Sequence, residues 1–187
     1  MFGRKRSSAQ EELERGRWKC GKCDVEHGWP FDLAVDAPDP WPHAREHEPN
    51  SALRLDGDFL SDDFCVLEGK YFLVRAVLTI PVIGVSGDFG FGCWGTLSRE
   101  NFEKYAAGFD TGNYADMGPW TGWLCNQLEG FTPGPDPIAV WVQPRHDRMR
   151  PMLWVRDDDH PLAMAQENGI SPERMLELFR AYGHGPA

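Results

Sequence analysis

Two cysteines and a histidine near the start of the chain are the residues best suited to chemistry. The segment runs Trp18-Lys19-Cys20-Gly21-Lys22-Cys23, and His27 follows four positions after the second cysteine. Two thiolates three positions apart on a tight turn can face one ion, which is why this spacing is typical of zinc knuckles. The sequence therefore predicts a zinc site with Cys20, Cys23 and His27 as ligands.

Two other interpretations of the cysteine pair stay open. A thioredoxin-like redox pair needs a hydrophobic strand before it and a helix after it, whereas the charged residues 11–17 precede this pair and the polar residues 24–30 follow it. Ordinary turn cysteines are the other possibility, because one pair supplies only two of the usual four ligands.

The completion of the ligand set has several candidates. His27 would give a Cys2His set, while His43 and His47 form an H-x3-H pair farther along the chain than in an ordinary finger. Cys65, on the first long strand pattern, could also lie under the knuckle. A single histidine is more often a surface or capping residue than a ligand.

Two further motifs resemble binding or catalytic motifs, but their sequence contexts favour structural roles. The glycines of Gly90-x-Gly92-x-x-Gly95 lie inside a strand pattern, although a dinucleotide site needs them at the turn from a strand into a helix. The run Asp157-Asp158-Asp159-His160 stands just before Pro161, where helix capping is the favoured interpretation.

The elements that would position these residues are mainly strands followed by helices. Residues 64–68, 71–82, 89–97, 137–143 and 152–156 are rich in apolar, β-branched or aromatic residues, and a turn at Gly69 and Lys70 predicts a hairpin. Helices are predicted at residues 99–107, from about Asp159 to Gly169, and from Ser171 onward. The fold class expected is α+β, a mostly antiparallel sheet with C-terminal helices and an N-terminal irregular segment that carries the knuckle-like Cys pair.

The domain organisation expected is simple. Residues 1–17 should be a mobile basic tail and a short helix capped by Ser8, and residues 18–187 a single α+β domain. Residues 18–49 contain five prolines and little periodicity, so a metal or docked tryptophans should hold them in place.

Charge and composition limit the classes of partner and the location that are expected. The chain has 19 Lys and Arg against 29 Asp and Glu, a net charge of -10, so nucleic acid and anionic membranes are not expected, and a basic protein partner is favoured. No apolar run is long enough for a membrane span, and no signal peptide is recognisable, so a cytoplasmic location is expected. The five cysteines are an odd number, which argues against a disulfide framework.

The order of several short motifs resembles a known family. The motifs are Cys20-x2-Cys23-x3-His27, Ala37-Pro38, Asp63-Phe64-Cys65-Val66, Val74-Arg75, Ile80-Pro81-Val82, Trp94-Gly95-Thr96-Leu97-Ser98, Asn101-Phe102, Gly122-Trp123-Leu124, Arg150-Pro151 and Asp159-His160-Pro161-Leu162-Ala163 with Gln166 and Gly169-Ile170. Together they resemble the bacterial domain-of-unknown-function family 2199. The resemblance implies no activity, and it favours Cys20, Cys23, His27 and His160 over Gly90, Gly92, His43 and His47 as site residues.

Three functions follow as expectations. The first is a small interaction or regulatory module with a structural zinc knuckle. The second is a metal-dependent enzyme in which the cysteine pair and a histidine leave an open position on zinc, with Asp159 as the base. The third is a ligand groove lined by Trp29, Trp41, Trp120 and Trp123, although tryptophan in a domain of this size is more often core.

Overall fold

A computed structural model describes residues 8–15, 17–20, 25–132, 134 and 136–184. The tail expected at residues 1–7 lies outside these ranges. The described chain is α+β, as predicted, with ten strands and four α-helices. The strands are β1 (Arg17–Lys19), β2 (Glu26–Gly28), β3 (Leu33–Ala34), β4 (Phe59–Leu60), β5 (Phe64–Leu67), β6 (Tyr71–Pro81), β7 (Asp88–Leu97), β8 (Trp120–Leu124), β9 (Ile138–Gln143) and β10 (Met152–Val155). The helices are α1 (Ser8–Glu14), α2 (Arg99–Gly108), α3 (Pro161–Asn168) and α4 (Pro172–Ala181).

Five of the strands close into a barrel. Strands β6 to β10 follow one another as antiparallel neighbours, and β10 returns to pair in parallel with β6 at Met152 and Val77. The sequence predicted a mostly antiparallel sheet, and the closure of five strands into a barrel adds to that prediction. Most pairings are antiparallel, and the parallel ones in the main sheet are β10 with β6 and β3 with β7.

The interior of the barrel follows the two-residue period of its strands. Val74 of β6 lies opposite Gly95 of β7, and a Cβ atom at Gly95 would come within 3.2 Å of Leu153 on β10. Alternate residues face this core, and the buried members include Val140 and Val142. Glycine at position 95 thus leaves room for the opposite wall of a narrow barrel.

A side chain of α3 satisfies the backbone of β10 beyond the residue at which β10 pairs with β6. Gln166 of α3 is buried, its Oε1 accepts a hydrogen bond from the Val155 N–H at 2.9 Å, and its Nε2 donates to the Leu153 carbonyl at 2.9 Å. The amide satisfies two backbone groups of β10 as a neighbouring strand would.

The outer face of β5, β6 and β7 carries a second apolar cluster. The irregular segment before β4 covers this face, and the buried residues beneath it are Ala37, Leu60, Cys65, Leu67, Leu73 and Trp94. Asn126 fixes the segment by donating to the Ala37 carbonyl and to Asp39, while its Oδ1 accepts from the Trp94 N–H. The segment is therefore held by buried polar contacts as well as by packing.

The helix signals are confirmed. Ser98 caps α2 and Ser171 caps α4, each accepting from a backbone N–H three residues on, and Pro172 occupies the first turn of α4. Met175 and Phe179 of α4 are fully buried in the main core. The amphipathic pattern of α4 thus places its C-terminal end against the sheet.

Two local expectations need correction. The β5–β6 turn is centred on Glu68 and Gly69, both with positive φ (53° and 65°), one residue earlier than predicted. Residues 18–49 are less irregular than expected, because β1, β2 and β3 form within them. Strand β3 is ordered by pairing with Phe91 and Gly92 of β7, a contact that no local pattern encodes.

Candidate metal centre

The β1–β2 hairpin places Cys20 and His27 on one face. Trp18 pairs with His27, and the Cys20 N–H donates to the Val25 carbonyl at 3.0 Å. Because side chains alternate along a strand, Cys20 lies on the same face as Trp18, and His27 lies opposite Trp18 on that face. The hairpin alone therefore brings a thiol and an imidazole together.

The C-terminal end of α4 supplies a third donor. Gly183 adopts the left-handed conformation (φ 76°), its N–H donates to the Arg180 carbonyl at 2.9 Å, and the His184 N–H donates to the Phe179 carbonyl at 2.7 Å. These two bonds are those of a Schellman motif, which ends a helix and fixes the residue after the glycine. His184 is that residue.

Several contacts hold the hairpin against this helix end. The Trp18 indole N–H donates to the His184 carbonyl at 2.8 Å, and its ring packs 5.2 Å from that of Phe179. The Cys20 Sγ lies 3.4 Å from the Gly183 carbonyl oxygen and 3.9 Å from His184 Nδ1. The His27 and His184 rings are 5.2 Å apart and nearly perpendicular.

Cys20, His27 and His184 form a group that could hold a metal ion. One ligand atom from each lies within 4.8 Å of the others. Ligands at 2.3 Å (sulfur) and 2.05 Å (nitrogen) in a tetrahedral zinc site are separated by about 3.6 Å, so the observed 3.9 Å between Sγ and Nδ1 needs only a small adjustment. Cys20 is 2 % exposed, and the two histidines are half-buried. The arrangement thus fits a partly buried metal site with one thiolate and two imidazole donors.

The other predicted ligands have different places. Cys23 lies outside the described residues. His43 Nε2 is 2.6 Å from Asp58 Oδ2, and His47 bonds Asp62 and the Asp36 carbonyl. Cys65 is fully buried in β5, within the outer-face cluster. None of these three described side chains belongs to the group around Cys20.

His160 has a structural role. Its Nδ1 accepts a hydrogen bond from the Leu162 N–H at 3.1 Å, which makes it the N-cap of α3. Asp157 in turn accepts from the Asp159 N–H. Capping, the favoured interpretation of this run, is therefore what the geometry shows, although the cap is the histidine.

The structure also shows where the residues of the glycine motif and of the expected tryptophan groove lie. Gly90 lies in β7, and its N–H donates to Asp32 at a spot where a Cβ atom would come 2.7 Å from that carboxylate. This is close backbone approach, as expected. Trp120 is buried, Trp29 donates to the Ser86 carbonyl, and Trp123 is half exposed on another strand face. The four tryptophans do not form one groove.

His184 is the ligand candidate that sequence reasoning missed. Gly183 after an amphipathic helix is a recognisable stop signal, so the position of His184 just past the helix end was readable. Its proximity to Cys20, however, depends on the docking of α4 against the hairpin, a contact between residues 164 positions apart.

Comparison with known proteins places the chain in a family. No curated protein and no solved structure matches it. Within the described ranges, no helix combines the length and the apolar character needed to cross a membrane. A family match covers residues 19–170, and it includes Cys20, Cys23 and His27 but ends before His184. The chain belongs to the family described as an uncharacterized protein conserved in bacteria, DUF2199.

Proposed function

We propose that this protein is a small interaction module in which a structural zinc ion fastens the β1–β2 hairpin to the end of α4. The observation that carries the proposal is the convergence of Cys20, His27 and His184 from separate segments. Cys23 is proposed as the fourth ligand because its spacing from Cys20 is that of a zinc knuckle.

The donor types favour zinc. A thiolate with two imidazoles suits a borderline ion such as Zn²⁺, whereas Mg²⁺ and Ca²⁺ require oxygen ligands. The described group contains no carboxylate. A second thiolate from Cys23 would complete the Cys2His2 set common in structural sites.

The surroundings support a structural role over catalysis. Trp18, Phe31 and Phe179 pack around the group, with ring centroids of Trp18 at 6.1 Å from Phe31 and 5.2 Å from Phe179. Asp159, the base in the enzyme hypothesis, stands beside the N-terminus of α3 and is not a member of the group. A water-binding position on the metal is thus not needed to account for the site.

Metal analysis tests the proposal. Protein purified from a zinc-replete cytosol should carry about one zinc per chain, and Cys20→Ser or His184→Gln should remove it while the barrel retains its circular dichroism. His43→Gln is the matched control, since this imidazole bonds Asp58 instead. Zinc-free wild-type protein whose melting is unchanged by a chelator would end the proposal.

Cobalt substitution then separates four protein ligands from three. With Cys23 as a ligand, the thiolate charge-transfer band of the Co²⁺ protein should fall by about half in Cys23→Ser, because one of two sulfurs is lost. An unchanged band would exclude Cys23 and favour the open site required by the enzyme hypothesis.

A face of three tryptophans supports the interaction role. Trp123, Trp141 and Trp154 are 49 %, 39 % and 44 % exposed on β8, β9 and β10, and Trp141 pairs directly with Trp154. The Arg156 guanidinium already lies 4.5 Å from the Trp141 ring centroid. With a net charge of -10, the proposed partner is a basic protein segment whose cations stack on this face.

An arginine-rich peptide tests the partner chemistry. It should quench tryptophan fluorescence in the wild type and bind at least severalfold more weakly to Trp154→Ala, while a glutamate-rich peptide of equal length should not bind. Equal binding of the two peptides would argue against the tryptophan face as a site for cations.

A further inference from the structure

A second site lies on the outer face of the sheet, away from the metal centre. A half-open cavity of about 350 Å³ lies there, within the size range of small-molecule sites. Its floor is Leu67, Leu73 and Thr96, which share one face because Leu73 pairs with Thr96 and Leu67 pairs with Tyr71. The floor is thus built on the rigid strands β5, β6 and β7.

The roof is fixed before any ligand binds. Pro40 and Pro42 of the irregular segment cover the floor, and the neighbouring Asp39 anchors this segment. The Asp39 N–H donates to the Cys125 carbonyl at 2.9 Å, and the Asp39 carboxylate accepts from the Asn126 amide and the Gln127 N–H. Such a preformed cavity spares a ligand the free-energy cost of ordering the loop.

The charged groups that line the cavity are acidic. Asp58 and Glu68 are its ionisable carboxylates, and none of the described residues that line it is basic. The Glu68 N–H and the His43 imidazole bond Asp58 at 2.6 Å each, and these contacts lower the pKa of that carboxyl, so it stays ionised. Two of its roughly four lone-pair positions remain for a ligand.

Glu68 occupies a backbone conformation that does not suit glutamate. Its φ of 53° lies in the left-handed region, where Gly or Asn is favoured over glutamate. Its side chain reaches the cavity rim and, among the described residues, forms an ion pair with Lys70 at 3.3 Å, an exposed pair that contributes little to stability. A glutamate at this backbone conformation is therefore better explained by binding than by stability.

An aromatic ring and a thiol complete the walls. Tyr71 is 57 % exposed at the rim, where its face can receive a cation. Burial raises the pKa of the Cys125 thiol to about 12, so that wall is neutral and apolar at physiological pH. We infer that this cavity binds a small organic ammonium ion, its apolar body over Leu73 and its charge between Glu68, Asp58 and the Tyr71 ring.

Three matched probes test the charge requirement. Phenylethylammonium, the neutral 2-phenylethanol and the anionic 3-phenylpropionate have the same ring and similar length. Titration followed by NMR shifts of Leu73 and Tyr71 should show binding in the order cation, alcohol, anion. Equal shifts from the cation and the alcohol would overturn the inference.

Variants locate the interaction. Glu68→Gln keeps the side-chain shape and should weaken the cation about fivefold while leaving the alcohol unchanged, the effect of one charge at ~4 Å in water. Glu177→Gln, at an exposed position of α4, is the matched control. An unchanged cation affinity in Glu68→Gln would refute the assignment.

Binding of the probes at this cavity is independent of the metal centre. Chelation should leave probe binding unaltered, because the cavity shares no residue with Cys20, His27 and His184. Failure of one proposal therefore leaves the other standing.

Discussion

Gln166 offers the sharpest test of how the barrel is closed. In Gln166→Met, the Val155 N–H and the Leu153 carbonyl both lose their partner in a buried setting. Each unsatisfied buried group costs about 1–3 kcal/mol, and the apolar methionine offsets part of this, so the free energy of unfolding should fall by about 2–4 kcal/mol. For a chain of this length, a loss of about 3 kcal/mol corresponds to a Tm lower by roughly 6–12 °C.

Gln166→Glu separates the two hydrogen bonds. The carboxylate can still accept from Val155 but cannot donate to Leu153, so this variant should also be unstable at neutral pH. Burial raises the pKa of such a carboxyl above its unfolded value, so the protonated form, which can donate, is favoured in the fold. Stability relative to wild type should consequently recover as pH falls from 7 to 5.

Urea unfolding with matched variants provides the measurement. Gln127→Met changes the same side chain at an exposed position and should alter stability by less than about 0.5 kcal/mol. Two results would show that the Gln166 amide does not help to close the barrel. The first is a change in the free energy of unfolding for Gln166→Met as small as that for Gln127→Met, and the second is no recovery of stability in Gln166→Glu at lower pH.

Three further outcomes are expected. Burial raises the pKa values of Cys65 and Cys93 to about 12, so these thiols stay protonated in the folded protein at a pH where they ionise in the unfolded chain. The free energy of unfolding should therefore fall as pH rises above about 8.5. Cys93→Ala should make that decline less steep when denaturation is measured as a function of pH. Gly183→Ala should destabilise the protein by about 1 kcal/mol and weaken zinc retention against a chelator, since φ is 76° there. Asn126→Ala should cost about 2–3 kcal/mol and speed hydrogen exchange at the Trp94 amide, whose acceptor it removes.

Local patterns predicted much of the fold. The hairpin of β5 and β6, the long β7 and the capped helices α2 and α4 follow from alternation, turn residues and Ser-Pro signals that act over a few positions. The closure could not be predicted this way. It depends on a single parallel pair at Met152 and on the Gln166 amide, and neither has a signature in the surrounding residues.

The candidate metal centre likewise combines a part that follows from local sequence with a part that depends on long-range contacts. Cys20 and His27 are seven residues apart, and their shared face follows from the register of one short hairpin. His184 belongs with them only because α4 docks beside Trp18. The cavity proposed to bind an ammonium ion is likewise assembled from Pro40, Leu73 and Cys125, which are distant in the chain and have no common motif.

The 164 residues that separate Cys20 from His184 also set an order of events in the cell. At ribosomal speeds of about 5–20 residues per second, the cysteine is synthesised roughly 8–33 s before the histidine proposed as its fellow ligand. During that interval the nascent hairpin can offer an ion only its own donors. Zinc capture by all the proposed ligands would therefore report that α4 has been made and docked against the β1–β2 hairpin.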